Sequence, residues 1–138
     1  MLTRRGFAAC WICAIGGFAA TGAEAQNAAA TSGVKRTILQ QTDGPAEGWV
    51  TIIVEAEIEA GTQVARHTHP GIESTYILEG AGELSVDGEA VRPITPGASF
   101  QIPQGKPHSV RNGAAKTRLV STYVVEKGKP LATPAPAK

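Results

Sequence analysis

The stretch GTQVARHTHPGIESTYILEG, residues 61–80, places two histidines and a glutamate between predicted β-strands, and the rest of the chain is read outward from it. Strands are predicted over Val64–His67 and Ser74–Glu79, with Pro70-Gly71 turning the chain between them. His67 and His69 are two positions apart. On a strand that spacing points both side chains to one face, roughly 6–7 Å apart along the backbone. The turn at Pro70-Gly71 lets Glu73 re-enter the sheet on the same side. Two imidazoles and one carboxylate can then meet at one point.

A second stretch, GASFQIPQGKPHSVRN at residues 97–112, supplies His108 just past Pro107, so that a neighbouring strand can close the same point from another direction. Imidazoles and a carboxylate form a nitrogen and oxygen set suited to iron, manganese, nickel, copper or zinc rather than calcium. His67, His69, Glu73 and His108 are the candidate site residues. Around them, Val50, Ile52, Val54, Ala56 and Ile58 alternate with Thr51, Ile53, Glu55, Glu57 and Glu59, the period of a strand with one buried face. Further strands are predicted over Glu83–Val86, Glu89–Arg92, Ser99–Ile102, Ser109–Arg111 and Thr117–Glu126. Asp87-Gly88 reads as a two-residue hairpin turn, and Pro96-Gly97 and Pro103-Gln104-Gly105 mark two more reversals. No segment after residue 25 keeps a 3.6-residue apolar period, which leaves an all-β sandwich or barrel.

Composition agrees. A chain of 138 residues has room for one core, and 16 Gly with 9 Pro punctuate it too often for a helical bundle. With 42% hydrophobic and 18% charged residues and a net charge of +1, it is neither a disordered polymer nor a polyanion binder, so no nucleic-acid partner is expected.

Residues 1–25 read as a cleaved export signal: Arg4-Arg5, an apolar run from Phe7 to Ala20, and the small-x-small site Ala23-Glu24-Ala25. Thr3-Arg4-Arg5-Gly6-Phe7 resembles the bacterial twin-arginine signal, which implies a periplasmic destination. The 14-residue apolar run is too short to span a bilayer, so no membrane association is expected after cleavage. Cys10 and Cys13 leave with the signal, and the remaining chain has no thiol for a disulfide or a metal. It is also formally neutral, which favours a small ligand over a charged macromolecule. Residues 26–32 are expected to form a flexible lead-in, 33–128 the domain, and 129–138 a Pro/Ala-rich extended tail without a chemical role.

Gly61-x5-His67-x-His69-x3-Glu73-x6-Gly80 matches the first sequence motif of the cupin superfamily. Gly97-x5-Pro103-x-Gly105-x2-His108-x3-Asn112 resembles its second. The resemblance implies a single-domain double-stranded β-helix, the jelly-roll barrel. It also implies one divalent transition metal held by His67, His69, Glu73 and His108, with Asn112 stabilising a turn. Oxygenation, decarboxylation, lyase and isomerase chemistry and plain binding all occur on that ligand set, and a dioxygenase-like enzyme is the leading expectation, a non-catalytic binding module the alternative.

By strand parity, Gln63 and Ala65 share the His67 face, Thr75 and Ile77 the Glu73 face, and Val110 the His108 face. That lining is small and mostly apolar with few charges, which argues against a dianionic substrate such as oxalate, since that would usually recruit arginine. Arg66 is expected to turn away from the site as a solvated side chain. Tyr76 and Tyr123 are given no role. Small cupins pair through sheet edges, and an exposed edge strand of the barrel needs such cover, so a homodimer is expected.

Overall fold

The computed structural model describes residues 32–137. The export segment, Cys10 and Cys13 included, lies outside the described residues, as do most of the lead-in and Lys138. Among the described residues there are ten strands and no helix, as the turn-rich sequence predicts: β1 Val34–Asp43, β2 Trp49–Ile58, β3 Gln63–Thr68, β4 Gly71–Glu79, β5 Gly82–Val86, β6 Arg92–Ile94, β7 Ser99–Ile102, β8 His108–Asn112, β9 Thr117–Glu126 and β10 Thr133–Pro134. They form two five-stranded antiparallel sheets, β1-β2-β9-β4-β7 and β10-β3-β8-β5-β6.

Period-two alternation places the core. On β2, Val50, Ile52, Val54, Ala56 and Ile58 are buried, and on β9 Thr117, Leu119, Ser121, Tyr123 and Val125 are. They pair directly: Ile52 with Tyr123, Val54 with Ser121, Ala56 with Leu119. Ile77, Leu84, Ile94 and Ile102 complete the interior. Each such side chain contributes roughly 1.5–3 kcal/mol when removed from water.

Two turns hold the strands that matter for the site. Gly80 ends β4 with φ +88°, and a Cβ there would lie 2.2 Å from Thr117 Oγ1, so this reversal needs glycine for both conformation and space. Gly71 opens β4 so close to β9 that a Cβ would fall 2.0 Å from the Val124 carbonyl oxygen. Asn112 has the structural role expected of it. The two N–H donors of its buried amide are shared among the carbonyls of Ile58, Glu59 and Ala115, and its Oδ1 accepts from Thr117 Oγ1 at 2.6 Å.

Three features depart from the sequence reading. β1 was not predicted, because most of its side chains are exposed at a sheet edge and a register shift between Ile38 and Gln40 breaks its alternation. The strand expected over Glu89–Arg92 begins only at Arg92, since the chain turns at Asp87-Gly88 and runs unpaired as far as Val91. The Pro/Ala-rich segment lies against the barrel rather than extending from it. Leu131 is buried with Val50, Ile52, Val54, Tyr123 and Val125, and Thr133–Pro134 pair with Thr68 and His67. One apolar side chain among prolines carries no periodicity, yet its burial is enough to dock the segment.

Candidate metal centre

His67, His69, Glu73 and His108 face one another between the two sheets. His67 and His108 are direct cross-strand partners on β3 and β8, with ring centroids 4.3 Å apart. His69 lies just beyond β3, its ring centroid 4.9 Å from that of His67 and 5.1 Å from that of His108. Its backbone carbonyl accepts from Gly105 N at 3.0 Å, which ties the two histidine-bearing loops together. The ligand nitrogens of the three rings lie within 4.8 Å of one another. Glu73 reaches them from β4, with Oε2 3.0 Å from His69 Nε2 and 3.3 Å from His108 Nε2.

All three rings are oriented alike. Nδ1 of His67 donates to the Ala65 carbonyl at 2.7 Å, that of His69 to Leu131 at 2.6 Å, and that of His108 to Lys106 at 3.0 Å. A carbonyl only accepts, so each Nδ1 carries its proton and Nε2 is the nitrogen each ring turns inward, a bare lone pair in the neutral form. His69 Nε2 is buried and receives no hydrogen bond from the described residues. It faces a Glu73 carboxylate oxygen at 3.0 Å, a separation that calls for a cation between the two, either a proton on Nε2 or a metal ion. A metal ion satisfies that requirement, and carbonyl-anchored imidazoles with one carboxylate form the nitrogen and oxygen set such an ion takes.

Burial pushes the Glu73 carboxyl up, but in the metal-free chain the protonated forms of His108 and His69, which put a hydrogen-bonding proton and a positive charge at Nε2, override it and hold Glu73 well below the usual carboxylate range. Burial, reinforced by the charge of His108, pushes His67 down to about 4, so it is neutral and able to ligate at neutral pH.

The other carboxylate oxygen is held by hydroxyls. Oε1 accepts from Thr75 Oγ1 at 2.8 Å, Ser121 Oγ at 3.1 Å and Tyr123 Oη at 3.1 Å, and Thr75 and Ser121 lie 2.6 Å from each other. Thr75 and Ser121 own one proton each, so only two of their three contacts are hydrogen bonds at any moment. Oε1 is saturated in every arrangement, which leaves Oε2 to face the histidines. Burial, reinforced by the Glu73 charge, raises the Tyr123 phenol well above its ordinary range and keeps it a donor.

The cupin-domain profile matches residues 54–128, more than half of the chain and the whole of both histidine-bearing motifs. The chain belongs to the cupin family. A comparison with curated proteins finds no match. Among solved structures, this cupin is similar to a double-stranded β-helix protein from Klebsiella pneumoniae (19% identity, 79% of this chain and 90% of that one, TM-score 0.61). It is also similar to an RmlC-like cupin from Desulfovibrio desulfuricans (26%, 71% and 84%, TM-score 0.54). A third neighbour is the DMSP lyase DddQ from Ruegeria pomeroyi (25%, 66% and 46%, TM-score 0.55).

The expected lining of the cupin cavity needs correction. A bulge in β3 between Val64 and His67 shifts the parity, so Val64 faces the cavity while Gln63 and Ala65 are exposed. Thr75 and Val110 lie where expected. The lining holds an arginine as well, because Arg36 enters it from the unpredicted β1. Arg66 turns away from the site, but it is not free in solvent. It forms a two-pronged ion pair with Asp87, and its Nε donates to the Pro136 carbonyl at 2.7 Å. Tyr123 and Ser121 were legible in the alternation of β9. What parity could not supply was the β4–β9 register that sets Tyr123 beside Glu73 and Ser121 beside Thr75.

Proposed function

We propose that this cupin is a metal-dependent enzyme acting on a small organic molecule. One divalent transition ion, iron, manganese, nickel, copper or zinc, is held by His67, His69, Glu73 and His108. The observation that carries the reading is the common tautomer: three Nδ1–H groups spent on carbonyls leave three Nε2 atoms aimed inward, beside a carboxylate oxygen at 3.0 and 3.3 Å. The reaction is dioxygenase-like or a related lyase or isomerase step, and the likeness to a DMSP lyase supports the second branch.

Such an ion supplies Lewis acidity and, where redox-active, dioxygen chemistry. Four protein ligands leave about two positions of an octahedron for a small molecule. Thr75, Ser121 and Tyr123 fix Glu73, whose single negative charge leaves the centre about one unit positive. The sheets keep bulk water from the ligands, with His69 and His108 almost fully buried.

A second reading, a non-catalytic metal or small-ligand binding module, draws on the cavity. It measures about 50 Å³ beside His67, Glu73, His108 and Tyr123, against roughly 300–1,000 Å³ for common ligand pockets. Metal analysis tests both readings at their shared root. The protein should hold one ion per chain, and His69→Ala should lose it while keeping the β-structure; full loading of His69→Ala overturns the assignment. Oxygen-uptake and substrate-turnover screens on the loaded protein then separate enzyme from binder.

Two expectations complete the proposal. Export to the periplasm rests on the twin-arginine-like start, and a folded passage would allow the ion to be inserted in the cytoplasm, away from competing copper and zinc. A homodimer is supported by Ile72, Tyr76 and Leu78, all exposed on the outer face of β4.

A further inference from the structure

We infer that Arg36 is the anchor for the carboxylate of a bound ligand, which makes small organic monoacids the substrate class of this site; the inference rests on the metal-centre reading above. β1 pairs with β2 so that Val34, Arg36 and Ile38 lie opposite Ile58, Ala56 and Val54, the inward row of β2. The register shift follows Ile38, so Arg36 sits on the interior side of its strand. It is half-buried and lines the same cavity as His67, Glu73, His108 and Tyr123.

Among the described residues Arg36 also has no ion-pair partner. Every other arginine among the described residues is committed to a carboxylate: Arg66 to Asp87, Arg92 to Glu89, Arg111 to Glu83, and Arg118 to both Glu55 and Glu79. Arg36 has no ion pair or side-chain hydrogen bond to a described residue. The one cavity carboxylate is not available to it, since Glu73 Oε1 is saturated by hydroxyls and Oε2 faces the histidines. A half-buried guanidinium without a counterion is a standing electrostatic demand, and its planar fork matches a carboxylate.

Charge and shape narrow the ligand further. A divalent ion with Glu73 leaves about one positive charge, and Arg36 adds a second on the same cavity, so an anion is favoured over a neutral molecule. Phe100, Leu119 and Val110 supply an apolar wall that suits a short hydrocarbon body rather than a second charge. The acid head is then held by Arg36 while the rest of the molecule faces the inward Nε2 atoms.

The test uses cobalt(II)-loaded protein, with the visible spectrum of the ion and calorimetry as readouts. Propanoate, lactate and benzoate are each titrated against the corresponding primary amide. Wild-type protein should bind at least one acid about tenfold or more tightly than its amide. Arg36→Gln should lose that preference, and Arg36→Lys should keep part of it. Cobalt stoichiometry and the thermal midpoint should be unchanged in both variants. Equal binding of acids and amides by the wild type, binding of none of the acids, or a preference that survives Arg36→Gln overturns the inference. Failure of the wild type to take up cobalt instead removes the metal-centre reading on which it rests.

Discussion

Tyr123 Oη lies 3.1 Å from Oε1 of Glu73, its direct neighbour across the β4–β9 pair. The contact joins a residue of the candidate metal centre to the longest strand pair of the core, so stability and ligand placement share one bond. In Tyr123→Phe the ring packing stays and the charged hydrogen bond goes, while Thr75 and Ser121 still supply donors to Oε1. Denaturant titration should show a loss of about 1–3 kcal/mol. Metal affinity should fall with stoichiometry unchanged, because Glu73 is still present but less firmly aimed. Unaltered stability would mean that the phenol contributes only as an apolar ring.

The C-terminal segment should matter to metal binding although no candidate ligand lies on it. Leu131 O fixes the His69 tautomer at 2.6 Å, and Arg66 and β3 hold the residues that follow. A chain ending at Lys129 loses that acceptor. Competition with a chelator should show metal affinity reduced about 10–100-fold, the usual cost of removing a partner that orients a ligand. Loss of the buried Leu131 side chain should lower stability as well, by roughly 2–5 kcal/mol. Wild-type affinity in the shortened chain would assign the segment to packing alone.

What was legible in the sequence follows from which signals are local. The alternation of β2 and β9 and the fixed spacing of His67, His69, Glu73 and His108 are carried by neighbouring residues, and both could be read before any tertiary contact was known. Arg36 could not, because β1 is an edge strand whose inward row breaks at the register shift after Ile38. The bulge between Val64 and His67 defeated parity in the same way, exchanging Gln63 and Ala65 for Val64 at the cavity wall. Tyr123 lay on a recognised strand, yet its bond to Glu73 is a matter of register between strands some fifty residues apart in sequence. Local pattern names the faces, and only pairing says which residues on two faces meet.

Self-association should run through the outer face of β4. Ile72 and Tyr76 are each about half exposed there, an arrangement that costs less when a second copy covers it. Light scattering should give twice the chain mass for the wild type, and Tyr76→Asp combined with Ile72→Asp should give the single-chain mass with the fold intact. A wild type that is monomeric at high concentration ends the dimer proposal.

Acid should destabilise the metal-free protein, and the sign follows from the two depressed groups. His67 falls from 6.5 to about 4 in the folded chain, chiefly because burial penalises the imidazolium. Between those values the unfolded chain binds the proton and the folded chain does not, so unfolding takes up protons and stability drops as pH falls. One such group sets a slope of at most about 1.4 kcal/mol per pH unit, moderated by the partial exposure of the ring. Below 4.5 the depressed carboxyl of Glu73 acts in the same direction, because the unfolded carboxylate protonates first. Thermal midpoints should therefore be flat above about pH 7 and decline from 6.5 downward. His67→Gln should flatten the upper part of that decline and leave the part below 4.5; a decline that is unchanged in His67→Gln would place the responsible proton elsewhere.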